Sequence, residues 1–127
     1  MFQSAIVELP NAVVVQLRGE VDLATALTFR DALDGAAKRE KSILLDMTNL
    51  EYFDTSGARV IEAFHRYMQG RAWQVAIISP PPTVRRGLQL MGVDQRIRIF
   101  ESLDEALAAM PAAPPGPSEE PGPRTVL

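Results

Sequence analysis

Apolar positions along this chain recur with two alternating rhythms. Short runs rich in aliphatic and β-branched residues occur at Ala12 to Arg18, Ile43 to Met47, Val75 to Ile78 and Ile97 to Phe100, with a weaker one over Phe2 to Leu9. Each reads as a strand. Ile43-Leu44-Leu45 is apolar without alternation, the pattern of a parallel strand covered on both faces. Between these runs the spacing becomes helical. Val60, Ile61, Phe64, Tyr67 and Met68 form an apolar stripe closed by Gly70. Leu23, Ala26, Leu27, Leu33 and Ala37 predict a helix after Asp22, and Val84, Leu88 and Met91 another between Pro82 and Gly92. Ser102-Leu103-Asp104-Glu105 is a capping box, in which the serine and Glu105 satisfy exposed N–H groups reciprocally. It opens a helix over Leu103 to Met110, which Pro111 ends.

Helices that alternate with strands define an α/β domain, here a mixed, mostly parallel sheet of about four to five strands with about four helices. Right-handed crossovers line up the strand-to-helix loops along one sheet edge, where functional groups of such domains collect. The three loops are Gly19-Glu20-Val21-Asp22, Thr48 to Gly57, and Ser79-Pro80-Pro81-Pro82. The domain is expected to span residues 1–110. Six of the ten prolines fall in residues 111–127, together with Glu119-Glu120, a composition that cannot form a core and predicts a disordered tail.

Composition narrows the chemistry. The chain has no cysteine and one histidine, which excludes disulfides, a thiolate nucleophile, iron–sulfur clusters and Cys- or His-rich metal sites. A net charge of −3 gives no global attraction for nucleic acid or an anionic membrane, and the strands offer no aromatic platform for single strands. Arg85-Arg86, Arg96 and Arg98 read as an ordinary solvated face, nearly balanced by acids. No apolar stretch approaches the roughly 18 residues of a membrane span, and the first residues lack the pattern of a secretory signal. A soluble, cytoplasmic protein is expected, with no membrane insertion and no cofactor.

The richest segment is Phe53-Asp54-Thr55-Ser56-Gly57 at the start of the second helix. Asp, Thr and Ser are all good N-caps, so the segment reads equally as a capped helix start and as a rigidly presented hydroxyl. A phosphate on Ser56 would meet free N–H groups at the positive helix end, worth about 0.3 to 1 kcal/mol. It would also add about 1.5 to 2 negative charges beside Asp54. Nucleophilic catalysis by Ser56 has no base: His65, nine residues on, lies about 180° round the helix and about 13 Å along it. Asp22, Asp46 and Asp54 would suit a Mg²⁺ or phosphoryl-acceptor site only with a lysine on a late strand, and the lysines are Lys38 and Lys41. No phosphate-binding glycine loop of either common type is present.

The ordered set of motifs resembles the STAS domain family, and within it the stand-alone bacterial anti-sigma factor antagonists. The similarity rests on Gly19-Glu20-Val21-Asp22, on Ile43-Leu44-Leu45-Asp46, and on Asp54-Thr55-Ser56-Gly57, which is similar to the family's phosphorylation loop. It continues through Ser79-Pro80, Val84-Arg85-Arg86 and Leu90-Met91-Gly92.

The resemblance implies a binding module rather than an enzyme. The unphosphorylated antagonist would bind an anti-sigma factor that is also a serine kinase and so free a sigma factor. The kinase would phosphorylate Ser56, with Thr55 as alternative acceptor, and a PP2C-type phosphatase would reset it. Asp22 matches an acidic position beside the serine, and Asp22, Asp54, Thr55, Ser56, Gly57 and Arg59 are the expected partner-binding residues. Arg59 departs from the family, which often has a glycine there. A homodimer is compatible with this reading. The resemblance also extends to STAS subunits that dock on the ATPase of a lipid ABC transporter.

Overall fold

The computed structural model describes residues 1–110; the Pro-rich segment 111–127 lies outside the described residues. Five strands form one sheet in the order β1-β2-β3-β4-β5. They are β1 (Phe2–Glu8), β2 (Ala12–Val21), β3 (Ser42–Phe53), β4 (Val75–Ile78) and β5 (Ile99–Phe100). β1 pairs antiparallel with β2, and every other pair is parallel. The mixed, mostly parallel sheet is therefore as expected.

Four helices accompany it: α1 (Ala26–Ala37), α2 (Thr55–Met68), α3 (Pro82–Leu90) and α4 (Leu103–Ala109), with a short 3-10 turn at Val93–Gln95. Because β2 to β5 are adjacent in chain order, crossovers of one hand put α1, α2 and α3 on the same face. Their buried residues Phe29, Leu33, Ile61, Phe64, Val84 and Leu88 close over Val13, Val15, Leu17, Ile43, Leu45 and Ile77. α4 covers part of the other face, where Ala106 and Met110 pack on Val14, Leu44, Ala76 and Ile78. Ile43, Leu44 and Leu45 are thus all fully buried, which is why that stretch shows no alternation.

Several boundaries differ from the sequence expectation. β3 does not stop at Met47: it runs on to Phe53, through residues expected to be loop. Two register shifts against β2 explain the difference, since Gln16 pairs with Asp46 but Arg18 with Asn49, and Gly19 pairs with Leu50 but Glu20 with Tyr52. Each shift inserts one extra residue in β3, so its buried positions become Met47, Leu50 and Phe53, a spacing of three that hides the strand. Asp46 holds the first irregularity, its Oδ1 accepting from the Thr48 N–H at 3.0 Å and the Thr48 hydroxyl at 2.6 Å.

β2 likewise continues through Gly19 to Val21. Gly19 has φ +94°, and any Cβ there would overlap the Met1 carbonyl, which accepts from the Glu20 N–H at 2.8 Å. The position requires glycine. β5 is shorter than expected, because Ile97 leaves the 3-10 turn to fill the core before the strand begins. In α4 the Ser102 Oγ accepts from the Glu105 N–H at 3.1 Å, while Glu105 Oε1 accepts from the N–H of Glu101 rather than of Ser102. The box is shifted by one residue.

At the open end of β1, the Glu8 carboxylate bridges Lys41 Nζ at 2.8 Å and Arg39 Nη1 at 2.7 Å. Hydrogen bonds from Lys41, then Arg39, hold its pKa below the usual carboxylate value. A depressed carboxyl contributes stability above its unfolded pKa and loses it as pH falls through the folded value. In urea denaturation, Glu8→Gln is therefore expected to be less stable than the parent at neutral pH, with the gap closing below the ordinary carboxylate range.

Candidate functional site

Val21 and Phe53, the last residues of β2 and β3, lie opposite each other in parallel register. The next residues, Asp22 and Asp54, leave the sheet side by side, and the Asp54 N–H donates to the Val21 carbonyl at 3.2 Å. Here the two motif segments meet.

Asp54 is the N-cap of α2, with extended backbone and Oδ1 accepting from the Ser56 N–H at 2.8 Å. The Asp54 carbonyl then accepts the first intrahelical bond, from Ala58 at 3.1 Å. Thr55 is exposed, Ser56 half-buried, and Gly57 and Ala58 buried. The helix start is anchored from below: a Cβ built on Gly57 would fall 2.6 Å from Phe53 Cε1 and 2.7 Å from Val21 Cγ1. Both contacts belong to buried core residues, so α2 sits this close to the sheet only because residue 57 has no side chain. Phe53 is itself fixed by an edge-on contact with Phe29 at 6.2 Å, and Phe29 by another with Phe2 at 5.9 Å.

Ser56 consequently presents its hydroxyl on the first helical turn, where N–H groups lack intrahelical partners. Among the described residues no hydrogen bond engages that hydroxyl. Arg59, one turn further on, is exposed and forms no ion pair among the described residues.

Asp22 is adjacent but differently occupied. Its Oδ1 accepts from the Thr25 N–H at 3.1 Å, its own N–H donates to Thr25 Oγ1 at 2.9 Å, and that hydroxyl reaches the Glu20 carbonyl at 2.9 Å. The carboxylate thus locks the turn before α1, which begins at Ala26, four residues after Asp22. Thr25 is a site residue that sequence reasoning missed. Its signal was the Asp-x-x-Thr spacing of a reciprocal cap.

Two leucines assigned to the apolar stripe of the first helix are not core. Leu23 is 82% and Leu27 65% exposed, and α1 buries Phe29, Leu33 and Ala36 instead. Leu23 follows Asp22 directly and Leu27 lies in the first turn of α1, both as uncovered apolar surface. Tyr52, 51% exposed, precedes Phe53 in β3 and so faces the opposite side of the sheet.

The third predicted loop does not join this cluster. Ile78, the end of β4, pairs with Asp46, seven residues before Phe53, a separation of roughly 20 Å along a strand. Ser79, with φ 56°, instead ties to β5 and its end, donating from N to the Phe100 carbonyl and from Oγ to the Glu101 carbonyl. Arg85 pairs with Glu101 at 2.7 Å, and Arg96 with Glu62 at 2.8 Å. Asp46 likewise lies far from Asp22 and Asp54, and among the described residues no three acidic or imidazole groups converge to hold a metal ion. No described helix is long and apolar enough to cross a membrane.

Asp22 and Asp54 at adjoining strand ends, with the Asp54-capped start of α2 presenting the Ser56 hydroxyl, make up the candidate site of this α/β domain. The STAS domain family model matches residues 3–106, and the chain belongs to that family. The Mycobacterium tuberculosis anti-sigma-F factor antagonist RsfB is 26% identical over 98 residues, 76% of this chain and 80% of that protein. An anti-sigma factor antagonist from Mycobacterium paratuberculosis has a similar structure, with TM-score 0.79, 21% identity and coverage of 86% of this chain and 93% of that one. The antagonist SpoIIAA in its unphosphorylated form gives 0.64 at 25% identity, covering 84% and 93%; Bacillus SpoIIAA in its phosphorylated form gives 0.60 at 24%, covering 85% and 97%.

Two substitutions test how the helix start is built. Gly57→Ala is expected to cost about 1 to 3 kcal/mol through overpacking against Phe53 and Val21. Asp54→Ala is expected to cost about 0.5 to 2 kcal/mol through the lost cap. Chemical denaturation measures both, and a neutral Gly57→Ala would refute the close-packing account.

Proposed function

We propose that the chain is a cytoplasmic anti-sigma factor antagonist, switched by phosphorylation of Ser56. In this reading residues 1–110 are the working domain and 111–127 a tail. The unphosphorylated chain docks on an anti-sigma factor that is also a serine kinase, through Asp22, Asp54, Thr55, Ser56, Gly57 and Arg59. The single observation that carries the proposal is the placement of a half-buried, unengaged serine hydroxyl at the strand ends where the Asp22 and Asp54 segments meet. The names of the relatives support it.

The two parts of this edge do different work. Leu23 and Leu27 supply apolar area to bury against a partner, which favours association in proportion to area. The serine decides whether the partner stays. A phosphate there adds about 1.5 to 2 negative charges at a junction that already carries the Asp22 and Asp54 carboxylates, so an acidic or tightly packed partner surface is repelled. The phosphorylated form itself remains tolerable, because the α2 N-terminus and a guanidinium one turn along, on Arg59, both favour an anion. A PP2C-type phosphatase then restores the binding form. Thr55, exposed and adjacent, is the alternative acceptor.

A lysate pull-down with wild-type, Ser56→Ala, Thr55→Ala and Ser56→Glu baits tests the switch. Wild type, Ser56→Ala and Thr55→Ala are expected to retain a small kinase-like anti-sigma factor, and Ser56→Glu to lose it. Equal capture of a transport ATPase by all four baits would instead assign the edge to docking on a transporter.

With the purified partner, Leu27→Ser is expected to weaken binding by about tenfold or more, as for a buried apolar anchor. Because Leu27 is exposed in the free chain, the same change should leave the unfolding midpoint nearly unaltered. Unchanged affinity would remove α1 from the interface.

A further inference from the structure

The opposite sheet edge, where α2 ends and β4 and β5 begin, carries a different charge pattern. Arg71, Arg96, Arg98, His65, Gln74 and Trp73 line a groove of about 260 Å³ that has no carboxylate among its lining residues. Each arginine is held by a contact that leaves most of its donors unspent. Arg71 lies 4.0 Å over the Tyr67 ring and donates to the Tyr67 carbonyl at 2.7 Å, closing the end of α2. Arg98 lies 4.8 Å over the Phe100 ring, and Arg96 is paired with Glu62 outside the groove. Among the described residues neither Arg71 nor Arg98 has an ion-pair partner. Fixed guanidinium forks with free N–H groups suit carboxylates, which they bind in bidentate fashion.

The described chain ends beside this groove. Met110 lines a second, apolar groove with Leu44, Leu107 and Ser42, and the Ser42 Oγ accepts from the N–H of Gln74 at 3.0 Å. One hydrogen bond therefore links the wall under Met110 to the wall of the arginine groove. The last described residue, Met110, lies at this same edge of the sheet. The sequence beyond it is proline-rich, and it carries Ser118-Glu119-Glu120. Glu119 is nine residues past Met110, a reach of up to about 28 Å at about 3.1 Å per residue. Crossing two strand spacings of about 4.8 Å and rounding the sheet edge needs less than that.

We propose that the arginine groove is an acidic-peptide site and that its occupant is Ser118-Glu119-Glu120 of this same chain. Tethering makes the encounter intramolecular, so contacts too weak to hold a free acidic peptide suffice. The groove lies at the edge opposite Ser56, and the proposal stands whether or not Ser56 is phosphorylated. Its consequence is that an acidic ligand from outside must displace the chain's own segment.

Trp73 is the one tryptophan in the sequence, so its fluorescence reports on this groove alone. Acrylamide quenching is compared for full-length wild type, Glu119→Lys/Glu120→Lys, Arg98→Glu and the combination of all three changes. At low salt, quenching is expected to be about twofold stronger in the first two variants than in wild type. About 1 M salt, with a screening length near 3 Å, should raise wild type to their level. The triple variant, with charges exchanged across the contact, should return toward the wild-type value. That reversal separates a lost ion pair from local damage around Arg98. Equal, salt-independent quenching of wild type and Glu119→Lys/Glu120→Lys would overturn the proposal.

Discussion

The closest approach in the molecule that matters for its site is that of Gly57 to Phe53 and Val21. With no Cβ at residue 57, the first turn of α2 settles directly on the ends of two paired strands. Everything around the serine follows from that contact. It sets the height of the Asp54 cap above the sheet, and through the cap the orientation of the Ser56 main chain. It is braced in turn by the edge-on aromatic series of Phe2, Phe29 and Phe53, contributed by β1, α1 and β3. The hydroxyl is therefore mounted on core packing rather than on a loop.

The sheet divides along its length. Near the strand starts all five strands are joined and both faces are at least partly covered, so that end behaves as a conventional α/β core. Beyond Asp46 and Ile78 only β1, β2 and β3 continue, and the site stands at the far end of that extension. Polar side chains maintain it: Asp46 bridges the first irregularity through Thr48, and Thr25 ties Asp22 to Glu20 at the tip. Electrostatics at the tip thus rests on residues whose first task is holding the backbone.

Much of this was legible in the residues. The strand runs along the chain, the helices between them and the cap at Asp54 follow from apolar runs, periodicity and N-cap chemistry, all of them local signals. What was hidden has a common cause in tertiary context. The extension of β3 was read as loop because two inserted residues turn its period of two into a period of three. Leu23 and Leu27 were read into the first helix's spacing because a leucine there looks the same whether it faces the sheet or solvent. The turn made by Asp22 and Thr25 delays α1, so Leu23 precedes the helix, while Leu27 sits in its exposed first turn. Asp22 was read from the motif as an acidic residue beside the serine, and the motif gave no sign that Thr25 would be its hydrogen-bond partner. The register of β4 against β3, which separates the Ser79 loop from the cluster, has no signature in sequence at all.

The two irregularities in β3 have a mechanical meaning. Each bends the strand and increases its local twist without disturbing the pairs below it. The upper part of the sheet can accordingly be regarded as an adjustable arm on a fixed base. Insertion or loss of one residue near Thr48 or Glu51 would rotate the tip, with its serine and leucines, while Ile43 to Leu45 kept their neighbours. Such a design lets one scaffold be re-aimed at a differently shaped surface by changing strand length alone, with no repacking of the core.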